Sequence, residues 1–184
     1  MSITLLKTDI TLLPTDAIVN AANDGLWGGH GVCGAIFNAA GYEEMTEACR
    51  KYGHCDTGKA VITPGFRLPA KHVIHAVGPI WQGGRHGEPE QLYSAYKSSL
   101  QVAKENDLHS IAFPLISAGI YGYPLEGAWR RALEACRDFL GENQKYELAI
   151  TFAILDQAIL ETGQRILTEV VPEKETNKII VLPR

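Results

Sequence analysis

The sequence predicts an α/β fold, a three-layer α/β/α arrangement with a mixed central sheet of about six strands. Three observations carry this. Short apolar runs of strand type alternate along the chain with segments whose apolar residues recur at helical spacing. Two of the strand-type runs empty into glycine-rich loops that open into helices, the way α/β sheets present ligand sites at their carboxyl ends. The 184 residues, 46% hydrophobic and 21% charged, suffice for one domain with a sizeable core and call for no second.

Taken in order, residues 3–6 read as a first strand and residues 8–11 as its polar exit, where Asp9 taken alone reads as a turn cap. Residues 17–19 form a second, buried strand, followed by helices over 32–39 and 43–50, the latter with Met45 and Cys49 inward. Strands follow at 60–63 and 72–77, with Pro64, Gly65, Pro69 and Ala70 as turn material between them; His75, inside an apolar run, reads as a core histidine. Residues 78–89 read as a glycine-rich loop long enough to be mobile. Leu92, Tyr96, Leu100 and Ala103 then mark a helix that stops at Asn106 and Asp107. A strand over 111–116 leads to the second glycine loop, and Pro124 stands at or near the first position of a helix closed by Gly141. A strand over 147–155 and a helix over 157–170 complete the domain at residue 171. Residues 172–184 read as a tail, its apolar stretch 179–182 an edge strand or disordered.

The chemistry concentrates in residues 20–41, NAANDGLWGGHGVCGAIFNAAG. Ala21 and Ala22 are small enough to let a ligand approach the backbone, and the Asn23 carboxamide both donates and accepts, as a hydroxyl requires. Gly28, Gly29 and Gly31 permit positive φ angles and expose N–H groups ahead of a helix N-terminus, a cradle for an anion such as phosphate. The second loop, SAGIYGYP at 117–124, delivers a similar cradle from another strand end.

Composition excludes several classes. A net charge of -4 and an isoelectric point near 5.9, without a Lys/Arg cluster, argue against holding nucleic acid by phosphate neutralisation. No apolar stretch approaches the roughly 18 residues that a membrane span needs. The N-terminus shows no signal peptide, which predicts the cytoplasm, and four cysteines without disulfide-type density suit a reducing compartment. Cys49, His54 and Cys55 lack the repeated spacing of a metal site. Residues 53–59, GHCDTGK, have P-loop spacing, but Ala60 replaces the magnesium-binding Ser/Thr and a strand follows where a helix should.

In their order, NAAN, GGHGV, GHCDTGKAVITPG, HVIHAVGP and ISAGIYGYP resemble the macro domains of the bacterial MacroD-like group, over about residues 8–156. The resemblance implies a ligand, ADP-ribose, and places its contacts. Asp9 and Ile10 would meet adenine; Asn23 would hold the distal ribose; residues 28–32, among them Gly28, Gly29, Gly31 and Val32, would wrap that ribose and the diphosphate beside Ala21. Ser117, Ala118, Gly119, Ile120 and Tyr121 would bridge the diphosphate from the other side, Tyr121 packing on the ribose. Leu155 stands where many relatives stack an aromatic on adenine. The implied reaction releases ADP-ribose from acidic protein side chains or from O-acetyl-ADP-ribose by water attack, with the substrate phosphate orienting the water and no metal or cofactor required.

Active members of the group usually carry an aspartate where Cys33 stands and a histidine where Phe37 stands. Asn23, His30 and Cys33 are therefore the catalytic candidates: His30 because a loop imidazole can assist a water, Cys33 because a helix N-terminus favours a reactive thiolate, with a small buried side chain as the plainer reading. Two functions follow, an ADP-ribosyl ester hydrolase or a reader that binds ADP-ribose, free or protein-attached, without turnover.

Overall fold

A computed structural model describes residues 2–171; the expected edge strand or disorder at 179–182 lies outside the described residues. Six strands form one sheet: β1 (Ser2–Lys7), β2 (Ala17–Ala22), β3 (Ala60–Pro64), β4 (His72–Val77), β5 (Ser110–Phe113) and β6 (Ala149–Ile154). Their order is β1-β6-β5-β2-β4-β3, parallel except for the antiparallel pair β3 and β4. The mixed sheet is as the alternation predicts.

Helices α1 (Gly31–Ala40) and α2 (Tyr42–Arg50) cover one face, and α3 (Glu88–Glu105), α4 (Leu125–Glu142) and α5 (Gln157–Val170) cover the other. The side-chain period of two divides β2 between them: Ala17 and Val19 pack towards α3–α5, Ile18 and Ala22 towards α1 and α2. Both layers are closely packed, with Phe37, Trp129, Tyr96 and Phe152 fully buried.

Several boundaries move for identifiable reasons. Strand β5 stops at Phe113, three residues short of the expectation, because Pro114 has no N–H to continue the ladder. Helix α3 begins at Glu88, ahead of the apolar periodicity, behind Gly87 at φ +82°. Pro124 is the N-cap of α4, and Gly141 lies inside that helix, which ends at Glu142 with Asn143 as its C-cap. Asp156 caps α5 by accepting from the Ile159 N–H at 2.9 Å, a contact worth about 1 kcal/mol.

The topology opens the sheet at one place. From β2 the chain continues to β3 and β4 on one side, while β5, β6 and β1 lie on the other. Strand β2 pairs with β4 along all of its residues from Ala17 to Ala22, but with β5 only at Ala17 and Ile18. Beyond Ile18 the two carboxyl ends diverge, which leaves a crevice at the point where strand order reverses.

Candidate functional site

The crevice holds a cavity of about 550 Å³. The first loop contributes Ala21, Asn23, Gly29, His30, Gly31, Val32 and Cys33 to its wall; the second contributes Ser117, Gly119, Ile120 and Tyr121. These are residues singled out from the sequence, brought together by β2 and β5. Asp24, Trp27 and Gly78 also line it and were missed. Trp27 had a signal, since a tryptophan inside a glycine-rich loop has little to bury against, and it is 61% exposed. Gly28, Ala118, Asp9, Ile10 and Leu155 do not line the cavity. Asp9 caps a short 3-10 helix, Ile10–Leu12, by accepting from the Thr11 N–H at 2.9 Å and its hydroxyl at 2.8 Å. Ile10 is buried in the core and Leu155 is largely exposed.

The Asn23 carboxamide closes its own loop. Its Nδ2 donates to the Trp27 carbonyl at 2.8 Å and its Oδ1 accepts from the Trp27 N–H at 3.2 Å. One N–H and one acceptor site remain for a ligand. Of the three glycines expected at positive φ, Gly31 alone has it, at +60°; Gly28 serves close approach instead, while a Cβ on Gly29 would meet nothing nearer than Asn23 Nδ2 at 3.7 Å. A Cβ at Gly28 would meet the Tyr42 hydroxyl at 2.5 Å, and one at Gly34 would meet the Gly29 carbonyl oxygen at 2.7 Å, so the loop lies directly on α1 and on the start of α2. His30 is the N-cap of α1 but makes no side-chain cap. The N–H groups of that first turn, with the positive end of the helix dipole, therefore face the cavity without a side-chain acceptor.

Tyr96 shapes the second loop from beneath. Its buried hydroxyl donates to the Pro114 carbonyl at 3.2 Å and accepts from the Ile116 N–H at 2.9 Å. The chain then turns through Ser117 at φ +66°, a left-handed conformation strained for serine. The Ser117 Oγ is buried and has no hydrogen-bond partner. A Cβ on Gly78 would lie 2.3 Å from that oxygen, which explains the glycine there. Burial, and after it the Asp24 carboxylate, raises the Tyr121 phenol above its ordinary value of 10.0, keeping it an O–H donor.

Under the cavity floor lies a polar chain. The buried Cys33 Sγ receives the Gly29 N–H at 3.4 Å and Asn20 Nδ2 at 3.5 Å, and donates to the Trp27 carbonyl at 3.9 Å. Cys33 is thus a small buried side chain, as its plainer reading has it, one that pins the glycine loop and belongs to the cavity wall. Asn20 Nδ2 also lies 3.1 Å from His75 Nδ1, and His75 Nε2 is 2.9 Å from the Thr63 hydroxyl. His75 is the satisfied core histidine expected, and burial lowers it to about 4. Phe37 is fully buried beside it, its ring edge-on to the imidazole at 6.2 Å.

The loop before α3, expected to be long enough for mobility, is tied to the first residue of that helix. The Glu88 carboxylate, only 2% exposed, accepts the N–H groups of Gln82 at 3.2 Å, Gly84 at 2.6 Å and His86 at 2.7 Å. Burial opposes ionisation, but these backbone donors outweigh it and hold the carboxyl below its ordinary value. Elsewhere, residues 53–59 form the connection expected of them: the Gly58 carbonyl accepts the Ser94 and Ser98 hydroxyls at 2.8 Å each, and strand β3 follows. Cys49 turns to His75 in the core while His54 pairs with Asp56 at the surface. Among the described residues no group of three or more His, Cys, Asp or Glu is arranged to hold a metal ion, and no helix is long and apolar enough to cross a membrane.

Comparison with known proteins agrees with this geometry. The sequence model of the macro domain matches residues 19–132. A macro domain-containing protein of Chlorobaculum tepidum is 51% identical over 162 residues, covering 88% of this chain and 93% of the relative. A Citrobacter rodentium protein named O-acetyl-ADP-ribose deacetylase is 49% identical over 165 residues, covering 88% and 92%. Among solved structures, the Oceanobacillus iheyensis macrodomain with ADP superposes with a TM-score of 0.85 at 37% identity, covering 91% of this chain and 90% of that one. The Trypanosoma brucei macrodomain in complex with ADP-ribose gives 0.83 at 39% identity, covering 90% and 68%. With the motifs, the sheet order and the two-loop cavity in agreement, the chain belongs to the macro domain family.

Proposed function

We propose that this protein binds ADP-ribose and hydrolyses its esters, both mono-ADP-ribosylated acidic side chains and O-acetyl-ADP-ribose. The observation that carries the reading is the convergence of two glycine loops on one cavity whose polar groups lack protein partners: the first-turn N–H groups of α1 and the buried Ser117 Oγ. A diphosphate supplies the acceptors those groups need. The free half of the Asn23 amide takes the distal ribose hydroxyls, and Tyr121 closes over that ribose. The bound diphosphate orients a water against the ester, and His30, at the rim, is the side chain placed to assist it. Water adds, the ester C–O bond breaks, and the proton ends on the departing oxygen. Asp9 and Ile10 take the adenine, next to Leu155 at the end of β6.

A second reading, binding without turnover, has its own support. Cys33 and Phe37 are both buried and offer no carboxylate or imidazole to the cavity. Single-turnover assay of ADP-ribose release from a glutamate-linked ADP-ribosylated protein separates the two. Release that Asn23→Ala abolishes is expected; absence of release with ADP-ribose still bound leaves the reader.

A further inference from the structure

A second cavity, of about 280 Å³, adjoins the first, and Asp24, Gly78 and Tyr121 line both. The rest of its wall includes Thr57, Gln82, His86, Glu88 and Gln91. The wall is fixed in place. The Glu88 carboxylate gathers the N–H groups of residues 82, 84 and 86, and the Trp81 N–H donates to the Tyr121 carbonyl at 2.8 Å. The Trp81 ring is held between Gly84, where a Cβ would come within 2.6 Å of it, and Tyr123, whose ring centroid is 4.7 Å away. The loop over 79–87 and the ligand loop over 117–124 are therefore one braced unit.

The position of this cavity says what it can receive. In the function proposed above, on which this inference rests, Asn23 and Tyr121 take the distal ribose. The wall shared by the two cavities is Asp24, Gly78 and the same Tyr121, so the second space begins where that ribose ends. Free ADP-ribose has only a hydroxyl to place there, and O-acetyl-ADP-ribose only an acetyl group. A protein-linked ester continues into a side chain and a peptide backbone, which fill such a volume and pair with its amide and carboxylate groups. We infer that the second cavity is an acceptor subsite, binding the peptide segment that carries the linked carboxyl and making peptide-linked ADP-ribose the preferred ligand class.

Calorimetry on the full chain tests this with two probes, ADP-ribose and a peptide conjugate in which an amide replaces the ester to glutamate. The conjugate is expected to bind about tenfold more tightly than ADP-ribose. Gln91→Trp, filling the cavity from α3, removes that advantage. Thr57→Phe fills it from the connection over 53–59 and does the same, which separates occlusion from damage to the helix. Equal affinity for the two probes in the wild type, or an advantage that survives both variants, overturns the subsite and leaves ADP-ribose binding standing. Failure of the wild type to bind ADP-ribose overturns both.

Discussion

The two ends of the central sheet handle polar groups in opposite ways. At the amino end, Asp16 accepts from Lys71 Nζ at 3.0 Å and from the His109 N–H at 2.8 Å, while its own N–H donates to the Ser110 Oγ at 2.7 Å and its carbonyl accepts from His72 at 3.0 Å. One residue ahead of β2 thus clasps the starts of β4 and β5, with its partners all inside the protein. At the carboxyl end, the Ser117 Oγ is buried and unpartnered, the Asn20 Oδ1 beneath Cys33 likewise, and α1 begins without a side-chain cap. The difference teaches where this fold takes stability and where it forgoes it. A buried unpaired polar group costs on the order of 1–3 kcal/mol; the Ser117 Oγ and the first turn of α1 lie in the cavity wall, where a ligand can pair them, while the Asn20 Oδ1 lies beneath its floor.

If the comparison holds, changes at the carboxyl end act on ligand and turnover, and changes at the amino end act on stability alone. The largest effect expected is on the polar chain beneath the cavity. His75 is neutral in the fold, lowered by burial from 6.5 to about 4, whereas the unfolded chain binds the proton sooner. Its contribution is complete above pH 6.5 and declines as the pH falls from 6.5 towards 4, by about 3 kcal/mol in all. Denaturant titrations across that window are expected to show this slope in the wild type and a shallower one in His75→Gln. Equal slopes would remove His75 from the account.

Next in size is Cys33→Asp. The donors facing Sγ, the Gly29 N–H and Asn20 Nδ2, suit a carboxylate better than a thiol, so the variant should fold. Turnover of a glutamate ester should rise on the order of a hundredfold; an unchanged rate in single-turnover assay would mean that the thiol does not limit the chemistry. Asn23→Ala is expected to weaken ADP-ribose by roughly 1–3 kcal/mol by calorimetry. Because Asn23 also ties Trp27 in place, part of that loss should appear as a looser loop. Hydrogen exchange over residues 23–29, compared with the wild type, reads it directly. The smallest effect is Asp16→Ala, about 1 kcal/mol after allowance for the solvent near its partly exposed carboxylate. Thermal unfolding should show it, with ADP-ribose affinity unaltered; a matching loss of affinity would break the separation of the two ends.

Trp27 and Glu88 mark where reading the sequence stopped short of the site. Glu88 follows a run of glycines that reads as flexible, and its three N–H partners come from backbone that no side-chain pattern encodes. Asp24 and Gly78 became visible as wall residues only once β2 and β4 were paired, since they lie 54 positions apart in the chain. Gly28 and Gly29 read as positions of positive φ, yet the limit at Gly28 is the space left by Tyr42 and the Gly29 carbonyl fits only against a glycine at 34.

The sequence by itself determined the layers, the strand and helix count over the described residues, both glycine loops and the family, because alternation, helical period and ordered motifs are local properties of the chain. Tertiary structure decided the rest: that β2 and β5 part beyond Ile18, that the Cys33 thiol is held by Asn20 and Gly29, and that a buried carboxylate braces the wall of the second cavity. The physical reason is that these depend on distances between groups far apart in the chain, which packing sets.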